Sequence, residues 1–124
     1  MRQLKFRAWE SSKHQMHKLQ GMTFDAKSSI PSDLKLPGLP WRPLQEYELL
    51  QWVYLSDKNG VDVYEGDYIE ISSIIYNVVW DEIIVNFQLQ ELKSTSTRSI
   101  MDVTLGDIVG NKFENKDLNN KSSF

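Results

Sequence analysis

Apolar and polar positions alternate in short runs along most of this chain, and that alternation predicts a protein built of strands. In QLKFRAW, Leu4, Phe6 and Ala8 fall on one side, while Gln3, Lys5, Arg7 and Trp9 fall on the other. This period of two is that of a half-buried strand with a solvated basic face. Residues 10–24 are polar with scattered apolar positions (Met16, Leu19, Met22, Phe24), and a hairpin partner for the first strand is expected there. All four prolines fall between 31 and 43, in PSDLKLPGLPWRP. Missing amide donors and a fixed φ argue against both a continuous helix and a central strand. The segment reads as an extended arm whose Leu36, Leu39 and Trp41 pack on the protein's own body or on a sister subunit. PGLP and PWRP also match the loose PxxP spacing read by SH3 and WW domains.

Residues 46–56, EYELLQWVYLS, are too densely apolar for a one-faced strand. Trp-Val-Tyr and the turn that follows favour a strand buried on both sides over a short helix. Asp57-Lys58-Asn59-Gly60 then reverses the chain, since Asp accepts from forward amides and Asn-Gly tolerates positive φ. VDVY resumes a strand, Glu65-Gly66-Asp67 turns it again, and YIEI opens the next. In IIYNVVWDEIIVNFQLQ, a tip at Asp81-Glu82 pairs Trp80 with Ile83, Val78 with Val85, Tyr76 with Phe87 and Ile74 with Leu89, all on one face. Asp-Glu is a poor two-residue turn, which leaves the register open to a longer loop. Cross-strand pairs contribute roughly 0.2–1 kcal/mol each against about 1–2 kcal/mol of backbone entropy per residue, so other strands must cover the hairpin's apolar face. Residues 93–99 read as a polar loop, 100–115 as the last periodic segment and 116–124 as a solvated tail.

Composition removes whole classes of chemistry. The 124 residues contain no cysteine, which excludes thiolate nucleophiles, zinc–thiolate sites and disulfides. No apolar run approaches a membrane span or a signal peptide, so a soluble, cytosolic protein without membrane partners is expected. The net charge of −3 conceals an uneven distribution, because residues 1–30 hold six Lys or Arg against two acids, while the remainder hold eight against fifteen. An acidic body repels phosphate and makes a poor nucleic-acid face.

Candidate chemistry concentrates in DKNGVDVYEGD, residues 57–67. Asp57, Asn59 and Asp62 begin like a calcium loop, but counting from Asp57 the fifth position is Val61 and the twelfth, which needs a bidentate Glu, is Tyr68. Glu65 and Asp67 are near enough for an acid–base pair, yet they flank a glycine turn and have no apolar pocket in the sequence. Asp57, Asn59, Gly60, Glu65, Gly66 and Asp67 are therefore read as structural turn residues. His14 and His17 lack a third ligand and read as surface residues. No GxSxG or phosphate-cradling glycine loop is present. Neither a catalytic residue, a metal nor a cofactor is expected.

Three blocks point to a family. MRQLKFRAWE with Met16, LSDKNGVDVYEGDYI at 55–69 and DIVGNKFENKDL at 107–118 resemble, in order, the opening, central and terminal blocks of the YopX family of bacteriophage and prophage proteins. The resemblance implies a mainly β fold in a single YopX-like domain spanning 1–124. It comprises a β-rich element (1–30), the Pro-rich arm (31–45), a small SH3-like β-barrel (46–115) and a tail (116–124). It also implies phage or prophage origin and the cytoplasm of a bacterial host, and it carries no activity with it. The expected role is that of a non-enzymatic protein-binding or self-assembly module, an oligomer or a partner of another protein, with Arg2, Lys5, Arg7, Trp9 and Trp41 as contact residues. The alternative is a nucleic-acid-binding accessory protein that uses the basic head, with Trp9 and Phe6 as stacking groups.

Overall fold

The computed structural model describes residues 4–120, and the chain divides into two compact units, Met1–Gln51 and Trp52–Phe124. The first contains β1 (Phe6–Glu10), β2 (Gln15–Lys18), β3 (Gly21–Phe24), β4 (Pro31–Lys35), β5 (Arg42–Pro43) and the first half of β6 (Tyr47–Ser56). β1 lies between β2 and β6, with Trp9 opposite Met16 on one side and Glu48 on the other. Ala8, Trp9 and Glu10 are consecutive and all buried, so both faces of the strand are covered at that end. This corrects the expectation of a half-buried strand with a solvated basic face.

The Pro-rich segment is not an arm. β4 is the central strand of the antiparallel sheet β3-β4-β5, and Leu34 and Leu36 are fully buried with Ala8 and Tyr47 in this unit's core. The prolines are compatible with pairing because of where they fall. Pro31 is the first residue of β4, Pro37 and Pro40 lie beyond its end, and Pro43 sits on the edge strand β5, which leaves Ser32–Lys35 free to donate on both sides.

The second unit takes the rest of β6, which pairs Trp52 with Tyr64 and Ser56 with Asp62 of β7 (Asp62–Tyr64). β6 is a strand, but it is buried only at Tyr47, Leu50 and Val53, not along both sides. Its register shifts between Trp52 and Ser56, where Tyr54 has φ 69°, and the kink turns later side chains to half-exposed positions. Next come β8 (Asp67–Ile71), β9 (Ile74–Asp81), β10 (Asn86–Glu91), β11 (Thr97–Ser99), a 3-10 segment (Ile100–Leu105), β12 (Asp107–Asn111) and α1 (Lys116–Asn120). Five strands form one antiparallel sheet in the order β11-β10-β9-β8-β12, curled as a half-barrel over a core that includes Val63, Ile69, Val78, Leu89 and Val103. The fold is mainly β.

Two local expectations are corrected in this unit. The β9–β10 register pairs Trp80 with Phe87 and Val78 with Leu89, around a four-residue loop at 82–85. The Asp81 carboxylate explains the longer loop: it accepts from the Ile83 and Ile84 amides at 2.8 and 3.2 Å, an Asx turn that a two-residue loop has no room for. Thr97–Ser99 within the polar loop is a strand, β11, which pairs with Gln88–Gln90 as a sheet edge exposed to water. The expected tail begins as a short helix, Lys116–Asn120, with Lys116 and Asp117 exposed to water.

Candidate functional site

The acidic stretch 57–67 forms two corners, and both are tied to the carboxy-terminal block. Asp57 is buried, and one of its oxygens accepts from the Asn59 and Val61 amides, each at 2.9 Å, while the other accepts from the Ile108 amide at 3.1 Å. Burial raises the pKa of this carboxyl, but the backbone donors of Val61, Ile108 and Asn59 outweigh it and hold the group below the ordinary carboxylate range. Gly60, at φ 80°, completes the turn by donating to the Asp57 carbonyl at 3.0 Å. Asn59 Nδ2 and Lys58 Nζ both reach Asp107, at 2.7 and 3.0 Å, and their hydrogen bonds lower the Asp107 pKa. Lys58 also donates its amide to the Gly106 carbonyl at 3.0 Å. Gly106 allows β8 to approach closely, since a Cβ there would lie 2.7 Å from the Glu70 carbonyl oxygen.

At the second corner, Asp67 is 1 % exposed and accepts from the Tyr64 amide at 2.8 Å. Gly66 has φ 88°, donates to the Val78 carbonyl and accepts from the Lys112 amide at 2.9 Å. Glu65 is half-buried beside it. Opposite Asp67, Asn111 accepts from the Phe113 and Glu114 amides at 3.0 and 2.9 Å, and its own amide donates to Asn115 Oδ1 at 3.0 Å. LSDKNGVDVYEGDYI and DIVGNKFENKDL therefore form one polar clasp. Asn111 and Asn115 belong to it although they were not among the candidate residues; the GNKFEN turn chemistry was the available signal. One Asp57 oxygen accepts two backbone amides and the other accepts one, so this corner holds the chain in place. Among the described residues, no group of three or more His, Asp or Glu side chains is placed to hold a metal ion.

The proposed contact residues are not brought together as one surface. Arg2 lies outside the described residues. Lys5 and Arg7 are half-buried, Trp9 is 4 % exposed with its ring 4.8 Å from the His14 ring, and Trp41 is half exposed. Trp9 is withdrawn as a contact or stacking group because β1 is covered on that face. His17 is also not a surface residue: its Nε2 lies 2.9 Å from Oε1 of Glu10, which is 2 % exposed, and the Tyr47 ring stands 6.1 Å from its imidazole. Only pairing between β1 and β2 brings these two side chains together.

The exposed apolar surface gathers elsewhere, at the tip of the β9–β10 hairpin. Ile83, Ile84 and Val85 are 92, 56 and 69 % exposed. Val85 has φ 53°, a left-handed conformation that a β-branched residue adopts only under strain. Beside the tip, Ile84, Phe87, Ile100 and Met101 line a shallow open groove. No helix among the described residues is long and apolar enough to cross a membrane.

These features define a class: a small mainly β protein in two units, whose acidic turns are spent on its own backbone. The chain belongs to the YopX family, since the family model described as YopX protein matches residues 5–118. No curated protein matches it. Among solved structures, it is similar to the crystal structure of protein EF1440 from Enterococcus faecalis, with 19 % identity, 95 % of this chain and 99 % of that chain covered, and a TM-score of 0.67. At that identity the likeness shows the fold.

Proposed function

We propose that the protein is a binding module without chemistry of its own, and that the β9–β10 hairpin tip is the surface it presents to a protein partner. The observation that carries this reading is the run Ile83-Ile84-Val85 standing in water at the end of a hairpin. A turn of this kind is ordinarily polar, and a contiguous exposed apolar patch marks an interaction site. An SH3-like barrel in a phage or prophage protein of the bacterial cytoplasm belongs to the same reading. Its support is the family and the return of the last strand, β12, to pair with β8. Of the stacking groups in the nucleic-acid alternative, Trp9 is buried and Phe6 is half-buried.

The test is a photocrosslinking side chain at position 83 in the full chain, activated in the cell that produces the protein. Discrete protein adducts are expected, and they should vanish when Ile84→Asp is added. A tip that yields no protein adduct would overturn the reading.

A further inference from the structure

We infer that the partner of the β9–β10 tip is a second copy of this chain, docked through the β3–β4 hairpin of its amino-terminal unit. This rests on the binding reading given above and names the occupant of that surface. Charge selects it. Residues 1–51 carry eight Lys or Arg against five Asp or Glu, a net +3, and residues 52–124 carry six against twelve, a net −6. The two compact units of one chain thus have opposite sign, and two copies meeting unlike unit to unlike unit attract.

The tips repeat this complementarity on a smaller scale. At the acidic tip, exposed Glu82 precedes the apolar run, and Asp81 behind it is occupied by the Ile83 and Ile84 amides and by Gln88 Nε2 at 2.8 Å. At the β3–β4 tip, Phe24 and Ile30 are 55 and 60 % exposed, and the Asp25 amide donating to the Ile30 carbonyl at 2.8 Å holds the ends of their loop together. Lys27 is exposed between them, while the Asp25 carboxylate is turned to the Lys27 and Ser28 amides, each at 2.9 Å. An apolar tip bearing an outward carboxylate faces an apolar tip bearing an outward ammonium. Pairing two acidic tips about a two-fold axis would set Glu82 against Glu82. The contact accordingly joins two different surfaces, the acidic tip of one copy and the basic tip of the other. With only a few apolar side chains on each side, it lies in the weak, transient class of interface.

The experiment is sedimentation velocity of the full chain across a concentration series at low and high salt. Association that weakens with salt is expected for the wild type. Glu82→Lys and Lys27→Glu should each weaken it by about ten-fold or more, as reversal of a paired interfacial charge does. The charge-swapped double variant should restore it; both positions are exposed, so folding is not at issue. A wild type that stays monomeric at every concentration, or a double variant no better than the singles, would overturn the second-copy assignment. If position 83 crosslinks to a different protein while the chain sediments as a monomer, the binding reading stands and this inference falls.

Discussion

Asp57 is the residue on which most of the clasp depends, because its two oxygens join a local turn to a strand 51 positions further along. Asp57→Asn keeps the shape but removes the charge and one acceptor, leaving a buried amide without its partner. A loss of about 2–3 kcal/mol is expected, read as a lower urea midpoint at unchanged slope. The pH dependence follows from the direction of the shift. The folded carboxyl titrates below its unfolded value of about 3.9, so its stabilisation is complete above roughly pH 4 and is lost as pH falls through the folded pKa. The stability gap between wild type and Asp57→Asn should therefore be constant at neutral pH and close in acid. Glu10 makes a comparable case in the amino-terminal unit. His17→Ala removes the ring nitrogen that meets the buried Glu10 carboxylate and is expected to cost about 1–3 kcal/mol, whereas the double variant Glu10→Leu/His17→Ala should recover much of that loss in a double-mutant cycle.

The strands themselves were legible at the scale of elements, because period-two patterning is a local signal that β1, β9 and β10 carry, while β6 was legible from its β-prone Trp-Val-Tyr and the turn after it. Register was not. The observed β9–β10 pairing is displaced by four residues along β10, and an even displacement leaves every side chain on its original face, so the pattern does not distinguish the two. β4 was hidden because composition counts prolines while pairing depends on which side of the strand each one falls. β11 was hidden because a polar edge strand looks like a loop. The turn residues at 57–67 could be read from local chemistry, but their partners Ile108, Asn111 and Lys112 come from topology, as does the Glu10–His17 pair. The hairpin loop gives a prediction at this scale. Val85→Gly removes a left-handed β-branched residue, a relief of about 1–2 kcal/mol, against an entropy cost of about 0.5–1 kcal/mol. A net gain of up to about 1.5 kcal/mol is expected by thermal melting, and Gly106→Ala, which drives a methyl into the Glu70 carbonyl, should lose about 1–3 kcal/mol in the same assay.

For the whole molecule, the organising fact is that each unit buries its own apolar cluster, and the clusters are unequal. Among the described residues, the carboxy-terminal cluster has ten buried members, including Val63, Ile69, Val78, Leu89 and Val103, whereas the amino-terminal one has four, Ala8, Leu34, Leu36 and Tyr47. The acidic clasp also lies wholly in the larger unit, where Asp57 and Asp67 bind its own backbone. A fragment of residues 46–120 keeps all of β6, the five-stranded sheet and the clasp, and it should fold alone with a dispersed amide spectrum. Residues 1–51 retain the β3-β4-β5 sheet and β1 with β2 and the first half of β6, but lose β7 and bury too little surface for a chain of about 50 residues without disulfides or metal, and should be largely unfolded when isolated. Amide spectra of the two fragments decide the matter. A well-dispersed 1–51 would mean that the Glu10–His17 pair and the β3-β4-β5 sheet stabilise more than their buried area implies. A collapsed 46–120 would mean that the larger sheet depends on residues before position 46, and that the clasp is a consequence of folding and not one of its causes.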